Sequence, residues 1–212
     1  MAHAGGAPTG GIALTGFGAF PGVPDNPSAR LLEAMRTADL LPSGTRFRLI
    51  EVAYAAVPPA IEEILADPSA ALVLTGYSAC ATGLRLETRA HDHCSADHAD
   101  AFGFVPRTGS EIRHYRDQLR ADLPGIAARV AQAGIDCTLS DDCGAYLCNY
   151  SYHLALGRIA ALGLNTRAVF IHIPAIAGTP LAQTSAGAMP RETMARGVAM
   201  VAHALAAATP KA

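Results

Sequence analysis

"IDCTLSDDCGAYLCNYSYHLALGRIAALGLNTRAVFIHIP", residues 135–174, is the stretch on which the fold reading turns. "IDCTLS" (135–140) reads as a short strand and 145–162 as a helix. "RAVFIHIP" (167–174) is a β-rich apolar run that Pro174 closes. A strand, a helix and a second buried strand in this order make a βαβ unit. That predicts a mostly parallel sheet with both faces covered by helices.

The alternation continues outward. "GIALTGF" (11–17) is a buried-strand candidate. "DNPSARLLEAMRTADLL" (25–41) sets Leu31, Leu32 and Met35 at helical spacing, with Asn26 or Ser28 as the cap. "RFRLIEVAY" (46–54) reads as a strand, and "AVPPAIEEILAD" (56–67) as a helix with Ile61, Ile64 and Leu65 on one face. "AALVLTGYS" (70–78) is a second fully buried strand. The stretch 79–118 is less regular, with short strands expected at "LRLETRA" (84–90) and "GFVPR" (103–107). "LPGIAARVAQAG" (123–134) returns to helix with Gly134 as its C-cap, and 190–208 is a final helix. The expectation is one α/β domain over 11–212, a three-layer α/β/α sandwich with a twisted central sheet. Residues 1–10 read as a flexible lead-in.

Composition narrows the function classes. The chain has 212 residues, 50% hydrophobic and 16% charged, with a formal net charge of −2, enough for one sizeable core. Scattered arginines form no basic stripe, so no nucleic-acid partner is expected. No apolar run reaches the ~18 to 20 residues that span a bilayer, so no membrane is expected either. "MAHAGGAPTGG" lacks the basic and apolar regions of a signal peptide. The five cysteines, at 80, 94, 137, 143 and 148, have no disulfide-framework spacing, which suggests reduced thiols and a cytoplasmic location.

In open α/β sheets chemistry collects at the carboxyl ends of the strands. There the sequence places "TGFGAFPGVPDNPS", "GYSACATGLRLE", "SDDCGAYLC" and His172. A cysteine, a histidine and carboxylates are the set that a cysteine hydrolase uses. Cys148 falls near the first turn of its helix, where the dipole favours a thiolate. His172 sits in a stiff strand end, suited to a general base. Burial as a small hydrophobe competes for Cys148, and a hydrogen-bonded core role competes for His172. Cys143, before Gly144, sits in the turn itself. "AHDHCSADHAD" (90–100) packs His91, His93, Cys94 and His98 among three aspartates, which is either a zinc-type donor set or a solvated polar loop.

Three of these segments resemble one known family. "TGFGAFPGVPDNPS" resembles the TGFxPFGGxxxNPS signature of pyroglutamyl peptidase I, the C15-type cysteine peptidases. "SDDCGAYLCNYSYH" resembles that family's nucleophile segment, and "VFIHIP" resembles the segment around its histidine. "GYSACATGLRLETRAHD", laid without gaps on the family's remaining segment, places its catalytic glutamate on Glu87. The resemblance implies a Cys148–His172–Glu87 triad that hydrolyses the amide after an N-terminal pyroglutamate. It also implies an aromatic pair, Phe17 and Phe20, against the lactam ring. Tyr146 and Leu147 would line the pocket, and the backbone at Tyr77 would meet the lactam N–H. The Cys148 N–H would serve the oxyanion hole. The implied partner is a small peptide with a blocked N-terminus, with no cofactor and no metal, and the implied assembly is a homodimer or tetramer.

The departures cluster on the substrate side. The family's Gly-Gly-Arg is Ala79-Cys80-Ala81 here, its Thr-Pro before the glutamate is Arg85-Leu86, and its Pro-Phe-Gly-Gly is Ala19-Phe20-Pro21-Gly22. Its arginine ten residues after the glutamate falls on Asp97, leaving Arg89 or Arg107 as substitutes, and Cys143 replaces an alanine. These leave two alternatives beside the peptidase. One is an amidase of the same fold acting on another small acyl or cyclic amide. The other is an inactive or metal-binding relative.

Overall fold

Strand and helix alternate along the chain. The elements are β1 (Thr9–Phe17), α1 (Pro27–Thr37), β2 (Arg46–Ile50), α2 (Val57–Ala66), β3 (Ser69–Tyr77), β4 (Leu84–Glu87), β5 (Arg89–His91) and β6 (Tyr115–Asp117). They continue as α3 (Leu123–Gln132), β7 (Cys137–Ser140), α4 (Leu147–Ala161), β8 (Arg167–Ile173), β9 (Ala175–Ile176), β10 (Ala188–Met189) and α5 (Arg191–Ala207). The structure is a computed structural model describing residues 9–106, 115–117 and 121–207.

Six strands form the central sheet in the order β2-β1-β3-β8-β4-β7. Period-2 alternation separates its two faces. On β8, Val169, Ile171 and Ile173 join a core cluster with Leu31 and Met35 of α1, Ile126 and Val130 of α3, and Val198 and Val201 of α5. Ala168 and Phe170 join a second cluster with Ile61 and Ile64 of α2 and with Tyr152 and Ile159 of α4. Helices therefore cover both faces, and the domain is the expected three-layer α/β/α sandwich. All seven residues of β8 are buried, as a central strand requires.

Strand direction differs from the simplest βαβ reading. β1, β2, β3 and β8 run parallel, but β4 is antiparallel to β8 and parallel to β7. β7 and β8, which flank α4 in the stretch 135–174, therefore run in opposite directions with β4 between them. The sheet is mostly parallel, and its two reversed strands prove to matter for the site.

Local chemistry accounts for most element ends. Asn26 caps α1, its Oδ1 accepting from Ser28 N at 3.0 Å. Gly134, with φ +77°, follows the Ala133 cap of α3 and supplies the left-handed turn that closes the helix. β2 stops at Ile50 rather than running to 54, because Tyr54–Ala56 coil into a 3-10 turn that feeds the proline-led α2. "LRLETRA" divides at Thr88 into β4 in the main sheet and β5 paired with β6. Residues 104–106 form a loop rather than the expected strand. Asp100 takes the backbone N–H groups of Tyr54, Phe102 and Phe104, which holds that chain away from any ladder. Arg107 and most of the lead-in, 1–8, lie outside the described residues, while residues 9 and 10 already belong to β1. The Ala-rich α5 spends its apolar face on the sheet, burying Met194, Val198, Val201 and Leu205. Among the described residues no helix is long and apolar enough to cross a membrane.

Candidate active site

His172 lies two residues beyond Phe170 on β8 and so shares its face, the one covered by α2 and α4. Their ring centroids are 4.9 Å apart. The reversed β4 then does what a parallel neighbour in this register would not. It sets Arg85 opposite His172 and Glu87 opposite Phe170, with both side chains on that same face. Glu87 is fully buried and its Oε1 lies 2.7 Å from His172 Nδ1. Arg85 Nε donates to the same oxygen at 2.9 Å, and an Arg85 terminal nitrogen lies 3.2 Å from His172 Nδ1. The Tyr152 hydroxyl, from α4, donates to the Glu87 backbone carbonyl at 3.1 Å.

Cys148 is the second residue of α4. Gly144, with φ +76°, turns the chain into that helix, a conformation that a side-chain-bearing residue rarely adopts. The Tyr146 side chain at the N-cap makes no cap hydrogen bond to the first turn of α4. The thiol packs against Gly76 of β3, the register partner of His172. A Cβ on Gly76 would stand 2.7 Å from Cys148 Sγ and 2.8 Å from Phe170 Cζ. Glycine is needed there for close approach rather than for backbone freedom. Burial, followed by the Glu87 carboxylate, pushes the Cys148 thiol up to about 12, while Arg85 draws it down. The resting thiol is therefore protonated, contrary to what its place at the helix start alone predicts.

Cys143 is not remote from this group. A Glu87 oxygen, Cys143 Sγ and a His172 ring nitrogen lie within 4.8 Å of one another, all three residues buried. These are donor types that zinc accepts. Here, however, Glu87 Oε1 is already shared by His172 and Arg85, and a guanidinium beside the imidazole opposes a dication. Among the described residues no such group of three donors forms within 90–100. His91 Nδ1 accepts from His93 N, His98 lies edge-on to Tyr146, and Asp100 is consumed by backbone N–H groups. That loop is docked on the start of α4. Asn149 Oδ1 accepts from His91 N at 2.9 Å, Ser95 N donates to Ala145 O at 2.8 Å, and the Tyr146 hydroxyl donates to Ala99 O at 3.0 Å.

The remaining residues singled out in the sequence are placed as follows. Leu147, buried, and Tyr146 immediately precede it. Phe17 is buried in the cluster that also holds Leu147, and Phe20 is half-buried against that cluster in a bridge to Val23. Tyr77 ends β3, and its hydroxyl shares a hydrogen bond with Ser185 at 2.7 Å. A cavity of about 770 Å³, lined by Tyr54, Cys94, Phe104 and Tyr150 among others, adjoins Tyr146, whose ring meets that of Tyr54 edge-on.

The family model for pyroglutamyl peptidase matches residues 11–209. The chain belongs to the pyroglutamyl peptidase family. It is 28% identical over 172 residues to the pyrrolidone-carboxylate peptidase of Thermococcus onnurineus, covering 78% of this chain and 84% of that one. It is 27% identical over 199 residues to its counterpart in Streptococcus pyogenes, covering 88% of both. The crystal structure of Bacillus amyloliquefaciens pyroglutamyl peptidase I superposes with a TM-score of 0.82 at 21% identity, over 93% of this chain and 97% of that one.

Set against the pyroglutamyl peptidase motifs, the structure adds residues that the sequence reading did not use. Arg85 stands out in the sequence only as a departure from the family motif, and its contact with His172 depends on β4 being antiparallel to β8. Asn149 and Tyr152 follow Cys148 in the quoted segment, but nothing in their spacing reveals that one clamps His91 and the other holds Glu87. Gly76 carried a usable signal, a glycine in an otherwise continuous apolar strand, which often marks close approach.

The thiols also make stability depend on alkaline pH. Burial raises Cys137 from 9.0 to about 11, Cys148 to about 12, and Cys143 well above its ordinary value. Each folded-state value exceeds the unfolded one, so above pH 9 the unfolded chain loses these protons first. Stability is then full below about pH 9 and declines toward pH 11–12. The urea midpoint is expected to be level from pH 7 to 8.5 and to drop above 9, less steeply in Cys143→Ala. A level midpoint up to pH 10.5 would contradict this.

Proposed function

We propose that this chain is a cysteine exopeptidase that hydrolyses the amide bond after an N-terminal pyroglutamate. Cys148 is the nucleophile, His172 the general base and acid, and Glu87 the group that orients His172. The observation that carries the reading is the buried Glu87–His172 pair at 2.7 Å, level in the sheet with the glycine against which the Cys148 thiol packs. Glu87 accepts the Nδ1 proton and leaves Nε2 free to accept another. Because the resting thiol is protonated, its proton passes to His172 as sulfur attacks the carbonyl carbon. The developing oxyanion is met by the Cys148 N–H and the uncapped first turn of α4. Collapse of the tetrahedral intermediate expels the amine, which takes the proton from His172 and leaves a thioester. Water, giving its proton to His172, then releases pyroglutamate and restores the thiol.

The lactam is uncharged and flat, suited to apolar contact with Phe17, Phe20, Tyr146 and Leu147, the residues that the family resemblance implies. The Tyr77 backbone would take its N–H. Turnover of pyroglutamyl-aminomethylcoumarin by the wild type tests the reading. Absent turnover with Cys148 still alkylated rapidly by iodoacetamide would mean another acyl group. Absent turnover with slow alkylation would overturn the enzyme reading.

Gly76→Ala gives a second test. The added methyl meets the sulfur at 2.7 Å, so the nucleophile must move. A displacement near 1 Å costs about 10²-fold in kcat/KM. Gly76→Ala activity within threefold of wild type would remove Gly76 from the site.

The second reading, an amidase for a different small acyl or cyclic amide, is favoured by the 91–106 loop. That loop lies on the start of α4 and carries Asp97 where the family has arginine. Release of other acyl groups from a panel of acyl-aminomethylcoumarins distinguishes the two. A cytoplasmic location and a homodimer or tetramer complete the proposal, the latter readable by light scattering.

A further inference from the structure

We propose that Arg85 is a positioning residue of this active site, a fixed cation that neutralises Glu87 and keeps His172 available as a base. The inference rests on the hydrolytic reading above and deepens it. Arg85 stands opposite His172 across the β4–β8 pair, with its side chain about one quarter exposed. Its Nε donates to Glu87 Oε1 at 2.9 Å and a terminal nitrogen approaches His172 Nδ1 at 3.2 Å, while the same Oε1 lies 2.7 Å from Nδ1. The three groups close a triangle around one carboxylate oxygen. Among the described residues Glu87 Oε2 is buried without a hydrogen-bond partner, so the hydrogen bonds of the carboxylate go to that triangle.

Proton placement shows what the cation does. With the proton on Nδ1, His172 donates to Glu87 and Nε2 has its lone pair ready for the Cys148 proton. With the proton on Nε2, Arg85 donates to Nδ1 and the ring cannot serve as a base. The carboxylate selects the first arrangement. Arg85 places a fixed positive charge against the same carboxylate and imidazole, which opposes a second positive charge on the ring, while Glu87 still aims it. Asp97 is exposed in a turn with Ser95, and the positive charge beside Glu87 and His172 comes from β4.

The groups that face this triangle are Glu87 and Arg85 from β4, His172 from β8, Cys148 from α4, and Cys143 and Asp142 from the turn before α4. The partner of Arg85 on β7, Thr138, is uncharged. Arg85 draws the Cys148 thiol down, so removing its charge moves that thiol up.

Arg85→Met keeps the bulk and removes the charge, whereas Arg85→Lys keeps the charge and loses the fork. In Arg85→Met, kcat for pyroglutamyl-aminomethylcoumarin is expected to fall about tenfold or more with KM little changed, and the alkaline limb of the kcat/KM profile to rise. Arg85→Lys is expected to hold that limb near the wild type while kcat falls only several-fold. The pH dependence of Cys148 alkylation by iodoacetamide, followed on the labelled peptide by mass spectrometry, needs no substrate and should rise in step. A destabilised Arg85→Met with neither profile moved would reduce Arg85 to a structural ion pair and overturn the proposal. Should the wild type turn over no pyroglutamyl substrate while the alkylation profile still rises, the substrate reading fails and the role of Arg85 stands.

Discussion

Cys148→Ala is expected to lower kcat/KM for pyroglutamyl-aminomethylcoumarin by a factor on the order of 10⁵ to 10⁶, the loss seen when a hydrolase nucleophile is removed. Cys143→Ala is expected to stay within about threefold of the wild type. The pair of variants decides a question that the structure sharpens. Cys143 Sγ lies within 4.8 Å of a Glu87 oxygen and a His172 ring nitrogen. That proximity favours Cys143, but it is buried in the turn, whereas Cys148 is the second residue of α4. A nucleophile needs both a base and a place for the oxyanion, and the proposed reaction gives the second to Cys148. Should Cys143→Ala abolish turnover and Cys148→Ala preserve it, the assignment is reversed. Circular dichroism and the thermal midpoint of each variant separate lost chemistry from lost folding.

Glu87→Gln is expected to cost about 10³ to 10⁴ in kcat, with KM little changed, as when the orienting acid of a triad becomes an amide. The substitution preserves shape, so the loss reports charge and tautomer. In the wild type Glu87 Oε1 accepts from both His172 Nδ1 and Arg85. A glutamine has one oxygen and no charge, and its amide nitrogen can only donate. Arg85 would then be the dominant donor toward Nδ1, pushing the proton to Nε2 and removing the base. The double variant Glu87→Gln/Arg85→Met should therefore recover part of the activity that Glu87→Gln loses, a non-additivity expected only for residues sharing one network. Activity of Glu87→Gln within tenfold of the wild type would exclude Glu87 as the orienting group.

Part of this site could be read from the residues. The short strand before Asp141, the helix through 147–161 and the buried run through His172 were legible as periodicity. Cys148 at a helix start was legible because caps, glycines and apolar spacing are local signals. Direction was not. A buried strand presents the same apolar run whichever way it travels, so nothing in "LRLETRA" shows that β4 is reversed relative to β8. The expected strand at "GFVPR" failed for a related reason. Its residues suit a strand, but Asp100 supplies hydrogen-bond partners from outside any ladder.

The sequence by itself determined which residue types stand at which element ends. A thiol stands near the start of α4 and an imidazole near the end of β8, both fixed by local pattern, while Glu87 is singled out by the family resemblance alone. Tertiary structure decided what those groups meet. The register of β4 against β8 puts Arg85 and Glu87 on one imidazole nitrogen. The fold of the turn brings Cys143 near both, and a missing Cβ at Gly76 admits the sulfur. Pairing depends on contacts between residues dozens of positions apart, and burial changes acidities only once those contacts exclude water. Local pattern carries neither, which is why the Cys148 thiol is raised rather than lowered.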